Sequence, residues 1–414
     1  MTTTQRPVLS RSRTNLALGA LFLGAFVVGS AELVVVGILN LIAGDLTVSI
    51  SAGGTLVTTY ALGIAIGGPI LTAVSIRFGR RPLLLLTLGG YVLGNVLAAA
   101  AVNFGMLLLA RVLTGALHGL FIGVAFAVAA GLLPPERMGR AISVVFGGIA
   151  VATALGVPLG TLVGQAWGWQ ASFVAIILAG ALALVLMLVF VPNVPNTGIG
   201  GFTAQARHAL APRVLAVLGL GFLIMGGQFA ALTYLQPFLA DVTGISGPLI
   251  SIFLLVYGIA NAVGTFLGGA AADRNASRTL LAASVVLVLA LGVLYLGGST
   301  PIVAALALGV WGLVGFGLVP SLQYRVVSLA GPGRDFAAML PASAVTAGIA
   351  VGALLGGWAL NNNGPSAAVL TGLMLTAAAV PAAWATGFLR VPTPNDDTAS
   401  DATRPLALSS ATTS

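Results

Sequence analysis

Twelve runs of about twenty mostly apolar residues, separated by short polar turns, leave this chain little choice of solvent. Each run matches the length a helix needs to cross the roughly 30 Å hydrocarbon core of a bilayer. A helix satisfies its own backbone hydrogen bonds where no water can. The first six runs are 14–40, 52–75, 82–102, 104–132, 139–165 and 170–191; the second six are 213–237, 247–272, 279–298, 302–328, 335–360 and 366–389. Composition agrees: 58% of the residues are hydrophobic and 6% are charged, against roughly 25% charged in a soluble domain. The expected fold is an all-α polytopic membrane protein, with twelve transmembrane helices in two pseudo-symmetric six-helix bundles. Arg11 and Arg13 before an apolar run suggest a signal peptide, but that run continues to about Asn40, which is span length.

The 17 basic residues are all arginine and account for a net charge of +8. All but Arg111 sit in or beside every second loop: Arg6, Arg11 and Arg13 before span one, then Arg77, Arg80 and Arg81, Arg137 and Arg140, Arg207 and Arg213, Arg274 and Arg278, Arg325 and Arg334, and finally Arg390 and Arg404. The other loops carry no arginine, only Asp45 and Asp241. This is the positive-inside pattern, which puts both termini in the cytoplasm. It is not a basic patch for DNA, so no nucleic-acid partner is expected. Cysteine is absent, which excludes disulfide and thiol chemistry. The organisation follows: a cytoplasmic tail 1–13, a six-helix bundle 14–191, a cytoplasmic linker 192–212, a second bundle 213–389, and a polar tail 390–414 expected to be disordered.

The halves repeat. Tyr60 to Arg77 is matched by Tyr257 to Arg274 at the same separation, Arg81 answers Arg278, and Gly148-Ile149-Ala150-Val151 recurs as Gly348-Ile349-Ala350-Val351. Six is even, so the halves share one orientation and imply a pseudo-twofold along the membrane normal. Secondary transporters built this way bind substrate near midplane, between halves that rock around it.

Only Glu32 and Arg111 place a charge well inside spans. A charge at that depth costs about 3 kcal/mol on insertion scales and marks a functional site by default. At about 1.5 Å per residue, Glu32 lies about 13 Å and Arg111 about 10 Å below the outer surface. Both are candidates for proton coupling, and Glu32 for substrate contact as well; a static ion pair locking two helices is the structural alternative. His118, two turns from Arg111, is either a proton relay near neutral pH or a packing residue. Gln228 and Gln236, eight apart, would share a face of span seven, with Tyr234 beside them. These three, with Tyr60, His118, Asn261 and Gln323, complete the candidate substrate contacts. Gly156, Gly160 and Gly164 repeat at four-residue spacing, as do Gly352 and Gly356, and allow close helix approach. Pro158 adds a weak point, making 148–164 a gate or helix interface.

Gly68 to Pro82 (GPILTAVSIRFGRRP) resembles the loop 2–3 signature of the major facilitator superfamily, and Gly269 to Arg278 (GAAADRNASR) is its echo. The acid of the first copy is replaced by Ile76, while the second keeps Asp273. Leu108 to Gly119 (LLARVLTGALHG) resembles the span-four signature, with Arg111 at its arginine. Ala154 to Gly164 (ALGVPLGTLVG) resembles the span-five signature of proton-driven antiporters. Together they resemble the twelve-span drug:proton antiporter family, most of all bacterial exporters of arabinose-type sugars, purine nucleosides and chloramphenicol. The resemblance implies a monomer in the bacterial plasma membrane, exchanging protons for a small molecule without a cofactor. It implies gating by Arg77, Gly79, Arg80, Arg81, Gly156, Pro158, Gly160, Asp273, Arg274 and Arg278, with the arginines closing the cytoplasmic side by capping helix C-termini. A proton-linked uptake symporter is the alternative within transport. A membrane-embedded enzyme lacks a constellation to carry it, and no phosphate loop for ATP is present.

Overall fold

The computed structural model describes residues 10–75, 78–133, 138–193, 208–333, 337–338 and 340–391. Ile76, Arg77, Arg137, Arg334, the side chain of Arg140, and most of the expected tails and linker lie outside them. Among the described residues, eleven helices are long and apolar enough to cross a membrane. They are Arg11–Asp45, Ile50–Ser75, Arg80–Ala99, Phe104–Leu132, Ser143–Trp167, Trp169–Phe190, Pro212–Asp241, Pro248–Gly297, Pro301–Leu329, Leu340–Asn363 and Pro365–Gly387. The eighth has 50 residues, about 75 Å at helical rise, more than twice the hydrocarbon thickness. It breaks at Asn275 (φ −161°, ψ 92°), whose side chain accepts from the Arg278 backbone N–H and caps the helix that begins there. It is therefore spans eight and nine, and the twelve expected spans are all present.

Local chemistry sets the helix starts. Ser10, Ser49 and Asn103 accept from backbone N–H groups of the first turns of spans one, two and four. Proline opens spans seven, eight, ten and twelve, where its missing donor costs nothing. Spans two and five each contain one π-helical turn, at Gly63–Gly67 and Ala152–Gly156. Gly68 N–H reaches back five residues to Gly63 O, and Val157 N–H to Ala152 O. A proline follows each, Pro69 and Pro158, and the missing N–H of proline is a standard cause of such a defect.

The pseudo-twofold shows in the close approaches. A Cβ on Gly115 of span four would collide with the Tyr60 carbonyl of span two, and a Cβ on Gly312 of span ten with the Tyr257 carbonyl of span eight. Span five packs on span one through Gly148 against Phe22, and span eleven on span seven through Gly348 against Phe222. The span-five stripe continues with Gly156 against Ser30 and Gly160 against Val34.

The halves meet through spans two and eleven, five and eight, and one and seven. Three contacts fix the end opposite the arginines. Asn40 N–H donates to Gln236 Oε1 at 3.1 Å, Thr58 Oγ1 to Ala350 O at 3.3 Å, and Tyr234 packs between Gly54 and Gly357 while donating to Ala353 O at 2.9 Å. At the arginine-rich end, the last turns of spans two and ten pack on helices of their own half.

Candidate functional site

Arg111 is 1% exposed, two turns into span four. Its Nη1 donates to Ala31 O at 2.8 Å, its Nη2 to Glu32 O at 3.1 Å, and its Nε to Leu56 O at 3.3 Å. Its guanidinium carbon sits 3.9 Å from the centre of the Tyr60 ring, a cation–π contact. Helix carbonyls have a second lone pair to offer, and a rigid fork of donors is the group that can take three of them at once. Arg111 thus ties spans one, two and four. Its depth matches that of Glu32, but these three bonds go to main-chain oxygens, not to the carboxylate.

The Glu32 side chain keeps 19% of its surface exposed, and its Oε2 lies 3.8 Å from His118 Nδ1. His118 Nδ1 is 2.9 Å from Tyr60 Oη, which is 2.8 Å from Tyr91 Oη. Both hydroxyls approach Val28 O at 3.4 Å. Spans one to four thus converge on one polar chain, Glu32–His118–Tyr60–Tyr91. Tyr60 and His118 are brought to Glu32; Tyr91 carries no sequence signal beyond being a hydroxyl in an apolar run.

The repeat places Leu232, Leu308, Gly315 and Val288 where the first half has Glu32, Arg111, His118 and Tyr91. The second half fills the space with a neutral set. Gln228 Nε2 donates to Gly315 O at 3.0 Å, and Trp311 Nε1 donates to Gln228 Oε1 at 3.0 Å. Gln228 is therefore buried between spans seven and ten, while Gln236 sits in the contact with Asn40. The expectation of one shared face fails because span seven breaks between Leu232 and Leu235, where Tyr234 has φ −110° and ψ 21°.

A small cavity lies between the halves, lined by Leu33 and Val36 of span one, Thr153 and Val157 of span five, Leu232 of span seven, and Leu254 and Tyr257 of span eight. Asn261 is one turn beyond Tyr257. Gln323 is elsewhere: it donates to Ala338 O at 2.8 Å in the turn after span ten.

The expected gating residues divide. Gly156, Pro158 and Gly160 lie in and after the π turn of span five, which packs on spans one and eight. A Cβ on Gly258 of span eight would collide with the Thr153 carbonyl in that turn. Gly79 precedes the helix of span three. Arg80 donates to Ala127 O at 3.1 Å, Arg81 to Leu188 O at 2.8 Å, Arg213 to Leu329 O at 2.8 Å, and Arg325 to Thr386 O at 2.6 Å and Leu389 O at 3.2 Å. These acceptors lie in the closing turns of spans four, six, ten and twelve, where a cation also meets the negative end of the helix dipole. Each of these bonds stays within one half, so none of them closes the arginine-rich end across the halves. Asp273, Arg274 and Arg278 are exposed in the turn between spans eight and nine.

Two repeated six-helix bundles, joined around an apolar cavity with charges buried beside it, define a polytopic membrane transporter. The model of the Major Facilitator Superfamily matches residues 21–340, and the chain belongs to that family. It is 36% identical over 91% of its length to the MFS-type transporter YtbD of Bacillus subtilis, covering 96% of that protein. It is 30% identical over 79% of its length to a chloramphenicol resistance protein of Streptomyces lividans, covering 84% of that protein. With a probable sugar efflux transporter of Helicobacter pylori the figures are 28%, 81% and 85%. A bacterial homologue of the human lysosomal transporter Spinster, solved inward-facing and occupied, shares the fold with TM-score 0.78 at 16% identity, over 93% of this chain and 100% of that one.

Proposed function

We propose that this protein exports a small organic compound across a bacterial plasma membrane in exchange for protons, by alternating access, with both termini and the central linker cytoplasmic. On this reading the structure is inward-facing. The contacts between halves at Asn40–Gln236, Thr58–Ala350 and Tyr234 close the outer end. The rocking units are the bundles 14–191 and 213–389.

The observation that carries the reading is the separation of Glu32 from the guanidinium. Arg111 directs three of its five donors to main-chain carbonyls and forms no ion pair with Glu32, so the Glu32 carboxylate, partly exposed and next to the cavity-lining Leu33, can gain or lose a proton without dismantling the helix packing. A charged carboxylate resists closure of the halves around it because closure removes water; a proton or a bound compound lifts that penalty. Exchange follows if only one of the two is carried on each crossing. His118 and Tyr60 extend the path. With Tyr91 donating to Tyr60 and Tyr60 donating to His118 Nδ1, a proton handed to Nδ1 turns Tyr60 from donor to acceptor, and its hydrogen can swing to Val28 O.

The export direction draws support from the relatives named for efflux and for chloramphenicol resistance, and from the span-five sequence. The test is uptake of a compound panel into inverted vesicles with an acid interior, by wild type and Glu32→Gln. The expected result is gradient-driven uptake by wild type and its loss in Glu32→Gln. Full gradient-driven uptake by Glu32→Gln would overturn the assignment of the carrier.

A further inference from the structure

We propose that the Tyr257 hydroxyl, with the Asn261 amide one turn along span eight, is the hydrogen-bonding anchor for the transported compound, and that this site selects uncharged amphiphiles carrying a hydroxyl or carbonyl. The proposal rests on the exporter reading and names the site and compound class within it.

Tyr257 is 4% exposed and Asn261 2% exposed, yet Tyr257 Oη and Asn261 Nδ2 have no hydrogen-bond partner among the described residues. Buried polar groups are nearly always paired, and each exception asks for an explanation. A spacing of four residues puts both on one face of span eight. Tyr257 lines the cavity between the halves, and its ring is held edge-on by Trp311, with centroids 5.4 Å apart.

The repeat explains why the hydroxyl is unpaired. Tyr60, its counterpart, has its Oη satisfied by Tyr91 and His118. Around Tyr257 the equivalent positions are Val288 and Gly315, which offer no side-chain donor or acceptor. The second half keeps the tyrosine and lacks its partners, which leaves the hydroxyl for a ligand.

The rest of the lining sets the class. Leu33, Val36, Val157, Leu232 and Leu254 are apolar, and the Thr153 hydroxyl is taken by Ile149 O at 2.9 Å. Neither Glu32 nor Arg111 is among the residues that line the cavity, so no charged side chain faces a compound bound there. A polyol would strand most of its hydroxyls there, whereas a largely apolar molecule with one or two hydrogen-bonding groups would be matched.

The experiment compares chloramphenicol, a neutral amphiphile with hydroxyls and an amide, with tetraphenylphosphonium, an apolar cation with no hydrogen-bonding group. Gradient-driven uptake into inverted vesicles is measured for wild type, Tyr257→Phe and Asn261→Ala. Wild type should take up chloramphenicol in preference, and each variant should raise its half-saturation concentration roughly five- to tenfold, the worth of one hydrogen bond to a buried group. Thermal unfolding of ligand-free Tyr257→Phe in detergent should match wild type, since the hydroxyl bonds nothing. Chloramphenicol uptake unchanged in Tyr257→Phe, or loss of ligand-free stability in that variant, overturns the anchor while leaving the exporter reading intact. Wild-type preference for tetraphenylphosphonium overturns the compound class. Uptake of neither probe by wild type, with uptake of another compound of the panel, overturns the compound class; gradient-driven uptake of no panel compound overturns the exporter reading and this assignment with it.

Discussion

Arg111 donates to the main-chain carbonyl of Glu32 at 3.1 Å, while the carboxylate of the same residue faces His118 at 3.8 Å. The two charges buried in the first bundle therefore share a depth but divide the work. The guanidinium braces spans one, two and four, and on the proposed exporter reading the carboxylate is left free to change its charge. Breaking a tight ion pair at every turnover would cost several kcal/mol; this arrangement avoids that step.

Arg111→Lys keeps the charge and removes the fork. An ammonium on a flexible stem cannot reach three carbonyls on two helices, and losing two charge-assisted bonds costs about 3–6 kcal/mol. Thermal unfolding in detergent, followed by tryptophan fluorescence, should shift down by several degrees. A wild-type transition would mean that Arg111 acts as a point charge.

Glu32→Gln should separate stability from transport. With no guanidinium bonded to the carboxylate, the amide costs less than about 1 kcal/mol in unfolding. Gradient-driven uptake disappears in the same protein, while downhill movement of the compound persists. A large loss of stability would reveal a bracing role for the carboxylate that the geometry lacks.

The Tyr91–Tyr60–His118 chain should be energetically connected. Tyr91→Phe and His118→Ala each remove one partner of the Tyr60 hydroxyl. Because they act through that shared group, a double-mutant cycle should give a coupling of about 0.5–1 kcal/mol. Strict additivity would show that Tyr60 bonds them independently.

The spans were legible because lipid imposes their length, and the repeat because Tyr60 and Tyr257 recur at a matched distance from Arg77 and Arg274. The polar chain was only half legible. Glu32, Arg111 and His118 stand out by charge or type, but Tyr91 joins them only because spans two, three and four converge, and no periodicity within span three signals that. The pairing of Gln228 with Gln236 misled for a local reason: span seven breaks after Leu232, and an unbroken helix was needed for residues eight apart to share a face. Arg80 donates to Ala127 O and Arg81 to Leu188 O, both within the first half, and on the proposed inward-facing reading these bonds belong to one state of the transport cycle. One sequence encodes every state of such a molecule and does not single out that one.

Gly258 should control the closure of the opposite end. It crosses the π turn of span five so closely that a Cβ would strike the Thr153 carbonyl, and it stands where the two halves touch. Gly258→Val must push spans five and eight apart, which on the proposed reading weakens the inward-facing state relative to one open on the other side. The chain has no cysteine, so Ser51→Cys, in the contact with Gly357, gives a single reporter of that end. Adding Gly258→Val should raise its labelling by a membrane-impermeant maleimide roughly fivefold, a shift of about 1 kcal/mol in the balance of states. Gradient-driven uptake should fall in parallel. Unchanged labelling with full uptake would show that the crossing of spans five and eight does not hold the outer end shut.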